Sequence, residues 1–208
     1  MSVSGIILAA GQSSRLGRSK QLLPLAGRPL LAHVIAHAAA SDLDETILVL
    51  GHEATAIAAA LGDLGQRTMI NPEYAAGQST SVRAGLSAVS PESDAVMFLL
   101  GDQPTVTSEI INALLTAYRT KRAPILVPTY GGQRGNPVLF DRALFPELHR
   151  VTGDEGARAI VRANAHGIRL VTMPGDRPPP DVDTEEDYQQ LLASWTGEGS
   201  GFAAKLGD

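Results

Sequence analysis

The chain has 208 residues, an apolar fraction of 44%, no cysteine and a formal net charge of −5. That composition excludes disulfide frameworks, thiolate metal sites and cysteine nucleophiles, and its acidic balance argues against a broad nucleic-acid-binding face. No run approaches the roughly 18 apolar residues of a membrane span, and no basic segment precedes Ile6 as in a signal peptide, so a protein of the reducing cytoplasm is expected.

Apolar strands alternate with helical patterns along almost the whole sequence. The first strand, Ile6–Leu8, is a short continuous apolar run of the kind buried on both faces of a parallel sheet. After it the side chains shrink: Ala9, Ala10, Gly11, Ser13, Ser14, Gly17. Small residues let backbone N–H groups approach a ligand, and successive N–H groups form a concavity that suits anions. Arg15 and Lys20 add positive charge, so Gly5–Lys20 reads as a polyphosphate cradle just past a strand's carboxyl end. Its glycines fit neither the Walker A loop nor the dinucleotide fingerprint.

A helix is expected over Leu30–Ala40. His33 and His37 stand there at the spacing of a zinc pair, but Val34 follows instead of Glu and no third ligand suggests itself, so both are assigned to packing or surface. Strand Thr46–Leu50 ends at Gly51, and helix Ala54–Leu61 and strand Thr68–Ile70 follow. The stretch Asn71–Val82 joins a turn to helix Ser79–Val89, with Ser79 or Thr80 as capping residue. Strand Ala95–Leu100 ends in Gly101-Asp102, which lands Asp102 at the sheet's carboxyl edge, where open α/β sheets bind ligands. Thr107 or Ser108 is better placed to cap helix Ser108–Arg122, so Asp102 is not needed for that task.

Strand Ile125–Val127 leads into Thr129–Pro137, whose glycines and proline predict a loop. Helices Asp141–Leu148 and Glu155–Asn164, strand Ile168–Thr172 and a rigid Pro178–Pro180 segment come next. The last helix, Glu185–Trp195, opens on Asp181, Asp183, Thr184 and Asp187. Thr184 with Asp187 approximates a capping box, and capping alone can account for this acidic cluster. The pattern predicts a three-layer, Rossmann-like α/β fold: a mostly parallel sheet with helices on both faces. Residues 1–195 read as one domain, and the glycine-rich 196–208 as a mobile tail.

Three ordered motifs resemble a known family. Leu8-Ala9-Ala10-Gly11 with Ser14-Arg15-Leu16-Gly17 and Lys20, then Gly101-Asp102-Gln103-Pro104, then Asp181-Val182-Asp183-Thr184, are similar to the motifs of the molybdopterin cytidylyl- and guanylyltransferases. Leu16 stands where Met is usual, and Glu185 where Pro is common. The resemblance spans Gly5 to Leu192 and implies a fold of the nucleotide-diphospho-sugar transferase type. It implies a Mg²⁺-dependent nucleotidyltransferase with Arg15, Lys20 and Asp102 as catalytic residues, and Asp102 and Asp183 as metal ligands. It assigns the nucleotide to Leu8, Ala9, Ala10, Gly11, Arg15, Lys20, Gly77, Ser81 and Gly101, with Gln78 and Gly51 as neighbours of the same pocket. It turns Gly135, Asn136, Pro137 and Asp154 toward the acceptor, although many members carry His where Asn136 stands.

The same resemblance implies molybdopterin as acceptor and a nucleoside triphosphate as donor. CTP is the expected nucleotide, because guanylyl members tend to have Gly where Ala10 stands. Related branches act on sugar phosphates or serve the maturation of molybdenum hydroxylases, which makes such an enzyme an implied partner. Two rivals remain at this stage. A nicotinamide- or flavin-dependent oxidoreductase on a similar sheet lacks its glycine fingerprint here, and Gly51-His52 replaces the acid at the end of the second strand. A non-catalytic carrier would bind the pterin without releasing pyrophosphate.

Overall fold

The computed structural model describes residues 1–195. The tail expected over 196–208 lies outside the described residues. In chain order the elements are β1 (Val3–Ala9), the small hairpin β2 (Pro24–Leu25) and β3 (Arg28–Pro29), α1 (Leu30–Ala39), β4 (Glu45–Leu50), α2 (Ala54–Leu61), β5 (Arg67–Ile70), α3 (Gln78–Ser87), β6 (Ala95–Leu100), α4 (Ser108–Thr120), β7 (Ile125–Tyr130), β8 (Gln133–Arg134), β9 (Val138–Asp141), α5 (Phe145–Leu148), α6 (Arg158–Ala163), β10 (Ile168–Thr172) and α7 (Glu185–Ser194).

The main sheet runs β10-β7-β9-β6-β1-β4-β5, with β8 on β7. All its pairings are parallel except those of β9 and β8. β1 shows why its sequence is apolar from Gly5 to Ala9; its one polar side chain, Ser4, is buried with its hydroxyl hydrogen-bonded to Glu45 and Ser93. Val3, Ile7 and Ala9 enter a core shared with α1, α2 and α4, while Ile6 enters the opposite core, shared with α3, α5 and α6. Beyond Ser4 both faces of the strand pack against these cores, which is why its remaining side chains are apolar. Fully buried, Ile6 and Ile7 each contribute roughly 2–3 kcal/mol of hydrophobic stabilisation. α3 lies close on the sheet because of Gly85, where a Cβ would fall 2.5 Å from Ile6 Cγ2.

The strand order fixes where a ligand can go. From β1 the chain builds outward through β4 to β5, then returns to place β6 on the other side of β1. The connections therefore diverge at the carboxyl ends of β1 and β6 and leave a crevice between them.

Two expectations need correction. The helix expected over Asp141–Leu148 begins later, because Val138–Asp141 is a strand that runs antiparallel between β6 and β7. Leu139 and Phe140 are fully buried there, and Asp141 Oδ1 accepts from Ala143 N at 2.9 Å to start a 3-10 turn. Three apolar residues are too few to show a period, so the strand is hidden in the sequence. The segment Thr129–Pro137 is likewise only partly a loop. Thr129 and Tyr130 complete β7, and Gln133–Arg134 folds back on them as β8.

Candidate active site

The loop after β1 is held from below by one amide. The buried Gln21 donates through Nε2 to Ala9 O at 3.0 Å and Gly11 O at 3.2 Å. Lys20 N donates to Ser13 Oγ at 3.1 Å, and the loop turns through positive φ at Ser13 and Gly17. These bonds draw the chain back toward the sheet and set Lys20 beside the end of β6. Gly101 makes the approach of the two strands possible, since a Cβ there would fall 2.8 Å from Ala9 Cβ. Its N–H donates to Leu8 O at 2.9 Å, and Asp102 follows at the crevice edge.

The second aspartate arrives from the far end of the described chain. Val182 N donates to Asp102 O at 3.1 Å, and Gln103 Nε2 donates to Pro179 O at 3.0 Å, so the segment before α7 is tied to the end of β6. Leu25, Leu30, Val182, Tyr188 and Leu191 form a third core that seats α7 on the hairpin, and Tyr188 hydroxyl donates to Pro24 O at 2.5 Å. The capping question is also resolved here. Thr184 and Asp187 form a full capping box on α7, which leaves the Asp183 carboxylate free of that task. The capping residues expected for α3 are a correction. Its N-cap is Gly77, and the Thr80 and Ser81 hydroxyls accept from buried Asn71 Nδ2 at 2.8 and 3.0 Å.

Lys20 Nζ donates to Asp102 Oδ2 and, at 2.8 Å, to Asp183 Oδ1, while Arg15 Nη2 donates to Asp183 Oδ2 at 2.8 Å. Burial alone would pull the Lys20 ammonium down, but the charge and hydrogen bond of Asp102, then Asp183, outweigh it and hold it above its ordinary value. Burial pushes the Asp183 carboxyl up, and the Lys20 and Arg15 contacts overcome that and keep it below the usual carboxylate range. At Asp181, burial, then the charges of Asp102 and Asp183, push the carboxyl up and outweigh the opposing charges of Lys20 and Arg158. Asp102 Oδ1 is buried and has no hydrogen-bond partner among the described residues. A buried carboxylate oxygen left open is costly unless something else answers it.

These groups line one cavity of about 570 Å³. From the sequence-expected set it collects Leu8, Ala9, Ala10, Gly11, Arg15 and Lys20 from the cradle. Gly77, Gln78 and Ser81 come from the start of α3, Gly101 and Asp102 from β6, and Asp154 and Asp183 from later loops. Gly77 has φ +107°, and a Cβ there would fall 2.6 Å from Asp154 Oδ1, so glycine alone lets the two loops meet. Gly51 stays outside the wall, packed where a Cβ would strike Tyr74 and Ala10. Asn136 lies on an adjoining apolar groove with Phe98, Val138 and Phe140, which shares Leu8, Leu100, Gln78 and Arg158 with the main cavity. Gly135 is closed against Tyr130 and Pro178, and Pro137 lines neither space.

Sequence reasoning missed Gln21 and gave no role of their own to Asp181, Arg158 and Tyr74, which lie within its candidate segments and line this site. A lone amide opening the apolar run Leu22-Leu23 was the available signal for Gln21. His33 is buried, with Nε2 2.7 Å from Leu25 O and its ring edge-on to Trp195, as its packing assignment expects. Among the described residues no set of three or more His, Cys, Asp and Glu side chains is arranged to hold a metal.

Residues 5–169 match the family described as the MobA-like NTP transferase domain. The nicotine blue oxidoreductase of Paenarthrobacter nicotinovorans is 31% identical over 91% of this chain and 96% of its own length. The purine catabolism protein PucB of Bacillus subtilis is 30% identical over 90% and 94%. Among solved structures, Rv0371c from Mycobacterium tuberculosis shares 34% identity with a TM-score of 0.85, covering 93% of this chain and 98% of that one; a second structure of it is a complex with manganese. The chain belongs to the MobA-like NTP transferase domain family, and it is a nucleotidyltransferase by that membership. Its donor substrate is a nucleoside triphosphate.

Proposed function

We propose that this protein transfers CMP from CTP to the terminal phosphate of molybdopterin with release of pyrophosphate. The observation that carries the reading is the convergence of Lys20, Asp102 and Asp183 under the cradle at the strand-order reversal. In the reaction, a phosphate oxygen of the acceptor attacks the α-phosphorus of CTP. The bond from that phosphorus to the bridging oxygen breaks, and its electron pair leaves with pyrophosphate. An ionised phosphate needs no proton removed, which suits a cavity without a histidine in its lining.

The side chains supply charge and position rather than covalent chemistry. Arg15 and Lys20 neutralise the triphosphate and the charge that grows on pyrophosphate. The small residues Ala9, Ala10 and Gly11 let backbone N–H groups reach phosphate oxygens. Asp102 and Asp183 would hold Mg²⁺. The fit rests on the open, buried Asp102 Oδ1 and on an all-carboxylate donor set, since magnesium uses one or two carboxylates and completes its shell with water and phosphate oxygens. Once bound, the cation supplies Lewis-acid charge across the phosphate oxygens. Ala10, Gly77 and Ser81 favour cytosine, and Asn136 and Asp154 face the acceptor.

The name of one relative, nicotine blue oxidoreductase, supports a second reading, oxidoreduction, for which this fold would take a nicotinamide dinucleotide. The cradle's lack of the dinucleotide fingerprint stands against it. A panel of NTPs with Mg²⁺ and molybdopterin, scored for pyrophosphate release and in parallel for NAD(P)H consumption, decides between them. Pyrophosphate release that needs CTP and molybdopterin together supports the proposal. Hydride consumption without pyrophosphate overturns it.

A further inference from the structure

We infer that Lys20 is the occupant of the cation site when no nucleotide is bound, and that the triphosphate must draw it away before a divalent cation can enter. This inference rests on the assignment of Asp102 and Asp183 as metal ligands. Its starting point is geometric. Lys20 Nζ bridges the two carboxylates, contacting Asp102 Oδ2 and Asp183 Oδ1. The ammonium thus lies between the oxygens that a cation would share. Only about 15% of the Lys20 side chain is exposed, and its backbone is pinned by Ser13 and by the neighbouring Gln21. The position is therefore a held one, not a passing contact of a surface lysine.

A magnesium or manganese ion needs carboxylate oxygens at about 2.0–2.2 Å and cannot share that space with a fixed ammonium. Entry requires Nζ to leave, and a bare lysine leaving two carboxylates in a part-buried site needs another anion to meet it. The triphosphate is that anion, because Lys20, Arg15 and the cradle line the same cavity. The residue then has two stations: between the aspartates in the empty enzyme, and on phosphate oxygens in the loaded one. Metal and nucleotide consequently strengthen each other's binding, and by linkage the coupling is reciprocal. Without the nucleotide, free metal competes against a positive charge that the fold itself provides.

The test is Mn²⁺ binding without nucleotide, read by the free-ion EPR signal and by titration calorimetry. Lys20→Met keeps the length of the side chain and removes its charge. Its Mn²⁺ affinity should exceed that of the wild type at least tenfold. Adding a non-hydrolysable α,β-methylene CTP should tighten Mn²⁺ binding strongly in the wild type and weakly in the variant. Asp102→Asn serves as the site control and should lose Mn²⁺ binding in both backgrounds. If that control leaves binding unchanged, the aspartate assignment itself fails. If the control behaves but Lys20→Met binds Mn²⁺ no more tightly than the wild type, the ammonium does not guard the site and the inference falls alone. Lys20→Gln gives the same reading should the methionine variant melt early.

Discussion

Two carboxylates at opposite edges of the sheet are treated in opposite ways. Asp141, at the end of β9, is saturated by its own chain: Oδ1 accepts from Ala143 N at 2.9 Å, and Oδ2 accepts from Tyr118 hydroxyl at 2.7 Å and from Arg122 Nε. Asp102, at the end of β6, is left with one oxygen on Lys20 and one buried oxygen on nothing. Both sit where an apolar strand stops. In one, both oxygens are answered by donors that hold the fold; in the other, one buried oxygen has no partner among the described residues, as its proposed role as a metal ligand requires. On the proposed assignment, a carboxylate that serves structure is told from one that serves chemistry by its completeness, not by its burial.

The largest test of that contrast is Lys20→Ala. Turnover should fall at least ~100-fold, because a charge fixed at the reacting phosphates is lost, while the thermal midpoint stays near the wild-type value. Steady-state pyrophosphate release beside a melting curve checks both halves. Asp102→Asn comes next. The amide keeps the shape but not the charge, so activity at ordinary Mg²⁺ should drop by about 10²-fold and recover in part at high metal concentration. Activity that persists while Asp183→Asn abolishes it would make Asp183 the principal ligand.

Asp141→Asn should reverse the pattern. Losing charge-assisted bonds to Arg122 and Tyr118 should cost about 2 kcal/mol in urea unfolding, with kcat unaffected. Its acid dependence carries a definite sign. Burial raises the Asp141 carboxyl, but Arg122, the Ala143 amide and Tyr118 outweigh that and hold it below its ordinary value. The stability it confers is complete above its unfolded pKa of about 3.9 and is lost as pH falls through the lower folded value. The urea midpoint of the wild type should therefore decline more steeply below pH ~4 than that of Asp141→Asn, with parallel profiles between pH 6 and 8. The smallest effect belongs to Ala10→Gly. Ala10 lines the cavity with only 6% of its surface exposed, and one methyl is a small change, so GTP use relative to CTP should rise only ~10-fold or less, judged by kcat/KM for each nucleotide.

The sequence made the central sheet legible because strands buried on both faces announce themselves as apolar runs, as in Ala95–Leu100 and in Ile47–Leu50 of β4. Arg15, Lys20 and Asp102 were legible because small residues and charges follow such runs directly. β9 was not, since its pairing with β6 and β7 is a tertiary fact that leaves no period in Val138–Asp141. Asp183 was ambiguous for a different reason: a capping box needs acids at the same place, and only the observed bonds show that Asp187 does the capping. Gln21 acts through backbone carbonyls of Ala9 and Gly11, partners that no side-chain pattern reveals. Gly51 was drawn toward the site by its place after the second strand and Pro137 by resemblance, and neither lines the cavity or the adjoining groove.

The seating of α7 on the β2–β3 hairpin has a consequence for the order in which the protein is made. The sheet, the cradle and Asp102 are all encoded before residue 173, but Asp183 is delivered by the last described helix, through Val182, Tyr188 and Leu191. A chain emerging from the ribosome amino end first can lay down every strand while this corner of the cavity is still missing. Until about residue 191 is free to dock, Lys20 and Arg15 have no second carboxylate to meet. On the proposed assignment of Asp183, the sheet can form before the site is complete, and the docking of α7 on the hairpin is the step that completes it.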